Sequence, residues 1–482
     1  MKIDEPIHVS NVDVWDQSAD VVVVGLGVAG ACAALEAHRA GVDVLVVERA
    51  SGGGGASATS EGTFYLGGGT TLQDACGVVD DPDEMYKFMR ASTTTPDDEA
   101  LRLFCDGGRE HFDWLEAQGV PFERQAFTAK AVAVRTGEGL MSSGNEHVWP
   151  FSEAATPALR GHQTRSLGRR GGGATAMTAL LATVVDEGVP TMCDAGVTGL
   201  VVDDDGVCGV RVRQAAAADQ FVQARSGVII ATGSFNLNPE MTKEHFPVVA
   251  ERGRPLGIDS NDGVGLQVAQ TVGVSTRAMD GVIATSSIYP PEQLLFGIIV
   301  NANGERFVAE DAYHGRTSYF IERQPNQVAY LIVDEAHFAY PDRGQDLIDV
   351  WDTVAEMEAA LGMPAGAVEA TLAGYNASVA DGEDHEFHKH SRWMAPLAPP
   401  LAGFDLSFAS ADYSFISLGG LHSDVDGRAI DADGNAIAGL YAVGAVAAHL
   451  PQSGAEYASG MSLGPGSFFG RRAGRHAAAR WS

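Results

Sequence analysis

The stretch DVVVVGLGVAGACAALEAHRAGVDVLVVE, residues 20–48, decides the fold. Its first five residues read as a buried parallel strand, and an alanine-rich helix follows the turn GLGVAG. Within that turn, Gly25 permits the tight bend, Gly27 lets the backbone approach a pyrophosphate, and Gly30 lets the helix pack on the strand. A second strand ends at Glu48, where a carboxylate can accept hydrogen bonds from an adenosine ribose. This order of elements predicts a Rossmann-like dinucleotide site.

Three further segments favour FAD as the dinucleotide. SGGGGASATSEG, residues 51–62, supplies small side chains and hydroxyls for a phosphate and flavin channel, and the strands GVIIATG (227–233) and GLYAVGA (439–445) follow far along the chain. With these segments the chain resembles the two-dinucleotide-fold FAD flavoproteins, in which both late strands return to the nucleotide domain. The expected FAD-binding residues are Gly25, Gly27, Val28, Ala29, Gly30, Glu48, Arg49, Ala56, Ser57, Ala58, Thr59, Val197, Ala231, Thr232, Gly233, Asp262, Gly444, Ser462 and Leu463.

The intervening sequence predicts an α/β protein with an inserted α+β capping domain. Asp81-Pro82 and Thr95-Pro96 each offer a helix cap followed by a first-turn proline, and VTGLVVDDDGVCGVRVRQ predicts a hairpin. After Gly273 the pattern changes to a hairpin around Asn303-Gly304, another strand, and two helical segments. We therefore expect FAD-binding parts at 1–281 and 433–482, separated by a catalytic insertion at 282–432.

Three segments of the insertion indicate its family. VNANGERFVAED, EATLAGYNASVADGEDHEFHK and SLGGLHSD, in this order, resemble the flavoprotein subunits of fumarate reductases and succinate dehydrogenases and their relatives, including the 3-ketosteroid dehydrogenases. The resemblance implies addition or removal of hydrogen across a carbon–carbon bond beside a carbonyl. It also implies that the substrate lies between the flavin and the inserted domain.

The sequence lacks the cationic clamp that a dicarboxylate substrate needs. Neutral residues precede Gly419-Gly420, and Arg471 and Arg472 come only after the final flavin-facing loop. Residues 51–75 also lack the histidine through which succinate dehydrogenases attach their flavin, so noncovalent FAD is expected.

Neutral hydroxyls stand where the clamp is missing: Tyr313 in EDAYHGR, and Tyr457 and Ser459 in YASGMSLGPGSFFGRRAG. These segments, with FYLGGGTTLQDACG, resemble the 3-ketosteroid Δ4-(5α)-dehydrogenases. By that resemblance Tyr457 polarises the C3 carbonyl, Tyr313 takes a proton from C4, Ser459 assists its relay, and flavin N5 accepts hydride from C5. A tyrosine of ordinary pKa is a poor base at neutral pH, so its pKa must fall or another group must help. Glu456 occupies a position where a small residue is expected.

Two alternative activities and one different class of protein stay open at this point. They are a 3-ketosteroid Δ1-dehydrogenase, a fumarate-reductase-like reductase of a small unsaturated acid, and a flavin-binding electron-relay or sensor protein without turnover. Two partners are expected: a substrate that is an apolar ketone of the steroid class, and an unidentified electron acceptor.

Composition excludes other classes of function. A net charge of −31 repels nucleic acid and anionic membranes, and no apolar stretch is long enough to span a bilayer. The N-terminus has no secretory pattern, so a cytoplasmic location is expected. The five cysteines form no CxxC pair, and we interpret them as reduced, inert thiols. His385, His388 and His390 lie in a polar segment without a cysteine partner, so no metal site is predicted.

Overall fold

The computed structural model describes residues 3–134, 136–166, 171–214, 218–342 and 345–480. The α-helices of these residues are Val28–Arg39, Gly55–Thr59, Thr71–Ala75, Pro82–Ser92, Asp98–Asp106, Gly108–Ala117, Phe151–Ala154, Gly172–Asp186, Pro239–His245, Pro247–Arg252, Val264–Gln270, His314–Glu322, Val354–Leu361, Ala367–Asp381 and Leu463–Ala479. None of these helices is long and apolar enough to cross a membrane.

A nine-stranded sheet forms the nucleotide domain and confirms the predicted α/β fold. Its seven-strand path is Ile7–His8, Ala195–Asp203, Gly206–Gln214, Gln220–Ile230, Gln17–Val24, Val44–Val47 and Thr191–Met192. Strand Ala436–Ala442 pairs in parallel with Gln220–Ile230 and carries Arg428–Ile430 on its other edge. The carboxyl ends of the parallel strands therefore meet at one edge of the sheet, where α/β proteins bind ligands.

Most of the predicted inserted segment folds around a second sheet. Four antiparallel strands build it, in the order Ile298–Asn301, Ala329–Asp334, Leu401–Asp405 and Leu347–Trp351. The two predicted helices, observed at Val354–Leu361 and Ala367–Asp381, bury Met357 and Leu372 in a separate apolar cluster against it.

Three smaller sheets connect these parts. They comprise Arg254–Pro255, Ser414–Ser417 and Val282–Thr285; Thr276–Arg277 with Gly420–Leu421; and Thr63–Tyr65, Gly161–Gln163, Leu140–Met141 and Ala126–Phe127. The first of these sheets contains strands from both sides of position 281. It therefore connects the expected FAD-binding part with the expected insertion.

Two local predictions were wrong. The helix predicted to be capped by Thr95 begins instead at Asp98, and the Asp97 carboxylate accepts the N–H of Ala100. An aspartate is at least as good a cap as threonine, and it moves the proline outside the helix. The chain does reverse at Asn303-Gly304, but the second arm of this hairpin pairs with the first only through a single bridge, between Val300 and Arg306. The Arg306 side chain donates a hydrogen bond to the buried Glu310 carboxylate.

The three histidines of the polar segment 385–390 have separate local contacts. His388 stacks on Trp149 with ring centroids 4.3 Å apart, and His390 Nδ1 accepts the N–H of Arg392. His385 is exposed beside Asp381. The described cysteines are all free thiols.

We predict opposite effects for alanine at two helical glycines. A Cβ on Gly30 would lie 2.0 Å from the Gly25 carbonyl oxygen, so Gly30→Ala should destabilise the fold by at least about 1–3 kcal/mol and weaken FAD retention. Gly374→Ala meets no atom within 4 Å and should stabilise its helix by about 0.5–1 kcal/mol. Urea unfolding of both variants measures the difference; equal stability would contradict the packing role of Gly30.

Candidate active site

A cavity of about 850 Å³ opens at the carboxyl edge of the central sheet. Val24, Val47 and Ile230, the last residues of three parallel strands, form its floor. Its walls continue from Glu48 at one end to the hydroxyls of Tyr313 and Tyr457. A single cavity therefore joins the predicted nucleotide site to the predicted substrate site.

The glycine turn lets the protein backbone come close to a bound ligand. Gly25 has a φ of +100°, and a Cβ there would lie 2.6 Å from the carbonyl oxygen of Ala231. Gly27 precedes helix Val28–Arg39, and the Val28 N–H donates to Ser57 Oγ over 3.1 Å. The positive end of the helix dipole thus faces the cavity with a hydroxyl beside it, as suits a phosphate.

Acidic residues mark the adenosine end of the cavity. Glu48 accepts backbone N–H groups from Leu26 at 2.7 Å and Ala50 at 2.8 Å, one on each oxygen. A carboxylate has about four acceptor positions, so Glu48 retains capacity for ribose hydroxyls. Arg49 Nη1 donates to Asp262 Oδ2 over 2.6 Å, which fixes two expected FAD-binding residues against each other.

The residues present fit FAD. Ser57 Oγ lies on the cavity wall beside the start of the first helix, where a hydroxyl and a backbone N–H can both bind a phosphate. A second helix, Leu463–Ala479, also begins at the cavity, and the positive end of its dipole favours negative charge there.

Most of the expected FAD-binding residues line this cavity. They are Gly25, Gly27, Val28, Ala29, Glu48, Arg49, Ala56, Ser57, Thr59, Val197, Ala231, Thr232, Gly233, Asp262, Gly444, Ser462 and Leu463. Gly30 and Ala58 are not among the lining residues. Gly30 packs the helix on the turn, and Ala58 packs against the core cluster behind the cavity.

The three expected catalytic hydroxyls all line the cavity. Tyr313 Oη and Ser459 Oγ are 3.0 Å apart, although 146 positions separate them in sequence. Tyr457 Oη lies 3.0 Å from Ser462 Oγ, at the start of the last helix. Both tyrosines are buried, 5% and 7% exposed, and each hydroxyl is held by a serine.

Burial sets the protonation of these hydroxyls. It raises the pKa of Tyr313 well above its usual value, and the nearby Tyr457 raises it further. Burial also raises the pKa of Tyr457. Both side chains are therefore proton donors at neutral pH, and Tyr313 can act as a base only while it gives up its own proton.

The cavity wall beside these hydroxyls is apolar near Tyr313 and polar farther away. Ile283 and Ile416 are cross-strand partners on the wall, and the next position outward carries Ser414, whose Oγ accepts from Arg254 over 3.3 Å. Arg471 and Arg472 are not on the wall. Arg471 is buried against Glu36 and Glu110, and Arg472 pairs with Asp426, so neither contributes to a carboxylate clamp.

Glu456 has a structural explanation that the sequence did not supply. Its Oε1 accepts the Thr94 hydroxyl at 2.6 Å, and its Oε2 accepts the Gln452 N–H at 2.8 Å. It does not line the cavity, so it neither narrows nor recharges it. Glu456 ties the last loop to the segment between two N-terminal helices.

Sequence reasoning missed two residues at the site. His449 lines the cavity, and its Nδ1 donates to the Leu418 carbonyl over 3.1 Å, which leaves Nε2 as a buried acceptor. Burial lowers its pKa and keeps the ring neutral. Asn145 Oδ1 accepts the Tyr313 N–H at 2.8 Å and so positions that side chain. No motif marks either residue; the one signal that could have indicated His449 is its place shortly after GLYAVGA.

We predict that Glu456→Ala loosens the last loop. The substitution leaves the partly buried Gln452 N–H and the Thr94 hydroxyl without their acceptor, which should lower the free energy of unfolding by about 1–2 kcal/mol. FAD release on mild heating should accelerate, as fluorescence of the freed flavin reports. Glu244→Ala, at an exposed position, serves as control. Equal rates of FAD release from the two variants would contradict the role of Glu456 in holding the last loop.

Comparison with known proteins identifies the family. The family profile described as "FAD binding domain" matches residues 20–463. The chain is similar to the crystal structure of a 3-ketosteroid Δ4-(5α)-dehydrogenase from Rhodococcus jostii in complex with 4-androstene-3,17-dione, with 39% identity and a TM-score of 0.92 over 98% of this chain and 100% of that one.

Curated relatives extend the comparison. A probable fumarate reductase of Shewanella frigidimarina is 27% identical over 96% of this chain and 75% of its own length. A 3-oxosteroid 1-dehydrogenase of Mycobacterium tuberculosis is 26% identical over 96% of this chain and 98% of its own length. The chain thus belongs to the FAD-binding-domain family of flavoproteins, with fumarate reductases and 3-ketosteroid dehydrogenases among its relatives, and is an FAD-dependent oxidoreductase.

Proposed function

We propose that this protein is a 3-ketosteroid dehydrogenase that introduces the Δ4 double bond into 3-keto-5α-steroids. The hydroxyl pair of Tyr313 and Ser459 in the cavity, with Tyr457 nearby, is the observation that carries the proposal. Identity of 39% to the Rhodococcus enzyme over the full length supports it. Arg471 and Arg472 lie in ion pairs away from the cavity wall and cannot clamp a carboxylate there, which favours an uncharged ketone.

Tyr457 is suited to polarise the substrate carbonyl. Its raised pKa keeps the hydroxyl protonated, so it can donate a hydrogen bond to the C3 oxygen as negative charge develops there. The apolar surroundings strengthen that interaction because they exclude water. Polarisation of the ketone acidifies the hydrogen on C4.

Tyr313 is suited to receive the C4 proton. Because its raised pKa keeps it protonated, it must pass its own proton to Ser459 Oγ, 3.0 Å away, as it accepts the proton from C4. Ser459 is therefore an obligatory member of the relay.

FAD, when bound, supplies the acceptor for the hydride from C5. The glycine turn, Ser57, Thr232 and the start of the last helix would hold it, without a covalent link. The electrons then pass to an acceptor that the site does not identify.

We predict that Tyr457→Phe retains FAD but slows its bleaching by the steroid. Loss of one hydrogen-bond donor to a developing oxyanion costs about 10²–10³-fold in rate. Anaerobic stopped-flow absorbance with 5α-androstane-3,17-dione measures the effect. Tyr319→Phe, outside the cavity, is the control; an unchanged rate for Tyr457→Phe would remove Tyr457 from carbonyl polarisation.

A substrate panel separates the proposed reaction from its alternatives. Pure protein is incubated anaerobically with the saturated 3-keto-5α-steroid, with its 4-ene analogue, or, after dithionite reduction, with fumarate. Bleaching by the saturated steroid, with the 4-ene as product, supports Δ4 chemistry. Bleaching by the 4-ene alone indicates a Δ1-dehydrogenase, to which the mycobacterial relative points. Reoxidation by fumarate without bleaching by either steroid indicates a reductase of unsaturated acids.

A further inference from the structure

The proton that leaves C4 needs a final acceptor. Tyr313 and Ser459 are neutral hydroxyls, so they can carry a proton onward but cannot store it. The inference below rests on the proposed function, because it concerns the destination of that proton.

Segment 143–146 holds both members of the hydroxyl pair. The Ser143 carbonyl accepts the Ser459 N–H at 2.7 Å, and Asn145 Oδ1 accepts the Tyr313 N–H at 2.8 Å. The same segment ends in a carboxylate, Glu146, which the reaction scheme above does not use. Hydrogen bonds therefore fix segment 143–146 to the backbone of both Tyr313 and Ser459, the two residues of the proposed relay.

Glu146 is a buried acid with few partners. It is 1% exposed, and its Oε2 accepts only the Gly144 N–H, at 3.0 Å. Its Oε1 makes no hydrogen bond of normal geometry, and no lysine or arginine of the described chain forms an ion pair with it. Buried carboxylates are ordinarily paired, so this one is costly to maintain.

The carboxylate lies under the loop that carries the proposed catalytic hydroxyls. A Cβ built on Gly144 would lie 2.7 Å from the Ala458 methyl and 3.2 Å from Glu146 Oε2. Ala458 stands between Tyr457 and Ser459. Glu146 Oε2 and the Ala458 methyl thus flank the same backbone position, Gly144.

Other polar atoms around Glu146 also lack partners. Buried Ser143 Oγ, Tyr65 Oη and Arg160 Nη1 make no hydrogen bond of normal geometry to the described residues, although the Tyr65 hydroxyl is close enough to Glu146 to lower its pKa. Native proteins leave few such atoms, and a cluster of them can bind internal water that conducts protons. The Ser143 and Tyr65 hydroxyls, with internal water bound to them, are the groups available as a buried polar path between Ser459 and Glu146.

We propose that Glu146 is the final acceptor of the substrate proton, which reaches it through Tyr313 and Ser459. As the C4–H bond breaks, its proton bonds to Tyr313 Oη and its electron pair stays on the substrate as the enolate. The Tyr313 proton moves to Ser459 Oγ, and the serine proton passes through the buried polar path to Glu146. The carboxylate becomes a neutral carboxylic acid, and every hydroxyl is restored.

The surroundings of Glu146 suit this role. Burial raises its pKa, which Arg160 and the Tyr65 hydroxyl only partly offset. A raised pKa makes the ionised carboxylate a stronger base than an ordinary glutamate. The charged and titratable groups around it are Tyr65, Lys130, Arg160, Tyr289 and Tyr313.

The pH dependence follows from the sign of that shift. Glu146 must be ionised to accept a proton, so flavin bleaching by the steroid is lost as pH falls through its raised pKa. The loss should begin at higher pH than for an ordinary glutamate. Glu146→Gln should remove this acid limb and slow bleaching about 10²-fold, the usual contribution of a proton acceptor.

Two further variants make the measurement specific. Glu146→Asp keeps the charge and should retain an acid limb and recover part of the rate. Glu358→Gln changes another buried glutamate, which caps helix Ala367–Asp381, and should leave the pH profile unchanged. An identical pH profile for wild type and Glu146→Gln would overturn the inference.

Infrared spectroscopy gives a readout that does not depend on rate. Anaerobic addition of the saturated steroid to wild-type holoenzyme should produce the carbonyl band of a protonated carboxylic acid, and Glu146→Gln should lack it. Absence of the band in wild type, or its presence in both proteins, overturns the inference even if the variant is poorly folded. Failure of the steroid to bleach wild type would overturn the proposed function itself, whereas failure of the band alone leaves that function standing.

Discussion

The backbone contact between the first and last long helices is the constraint on which the site depends. A Cβ on Gly470 or Gly474 would lie 2.5 or 2.2 Å from the carbonyl oxygens of Ala29 and Ala33, so only glycine allows the two helices to lie this close. Both helices begin at the same cavity because they are locked together here. The dinucleotide turn and the loop with Tyr457 are thereby parts of one rigid body, although they are over 400 residues apart.

Local signals in the sequence predicted the nucleotide domain because its chemistry is local. The strand, the glycine turn, the helix and Glu48 lie within 29 consecutive residues, and each carries its own physical reason. The candidate site is different. Nothing in the spacing of Tyr313 and Ser459 predicts a 3.0 Å contact, and only resemblance brought them together. Asn145 and Glu146 lie in no motif, and tertiary burial alone gives them a role. The predicted helix cap at Thr95 was wrong for a simpler reason: a second acceptable cap, Asp97, stands two residues later.

Burial assigns different roles to groups of similar chemistry. It raises the pKa values of both tyrosines, which favours Tyr457 as a hydrogen-bond donor and prevents Tyr313 from acting alone as a base. The same effect raises the pKa of Glu146 and makes that carboxylate a better acceptor. One physical cause, exclusion of water from this corner, therefore favours a donor at one end of the proposed relay and a base at the other.

A comparison within the chain shows that burial alone does not explain Glu146. Glu310 is also fully buried, but Arg306 Nη2 lies 2.9 Å and Lys389 Nζ 3.4 Å from its carboxylate. The charges around Glu310 are compensated, and its pKa falls despite burial. Arg160, the cation whose charge most offsets the burial of Glu146, is engaged in its own ion pair with Asp80 at 2.8 Å. The fold can thus neutralise a buried acid completely, and at Glu146 it does not. An acid left short of partners beside the proposed proton relay is retained at a cost in stability, which proton transfer would justify.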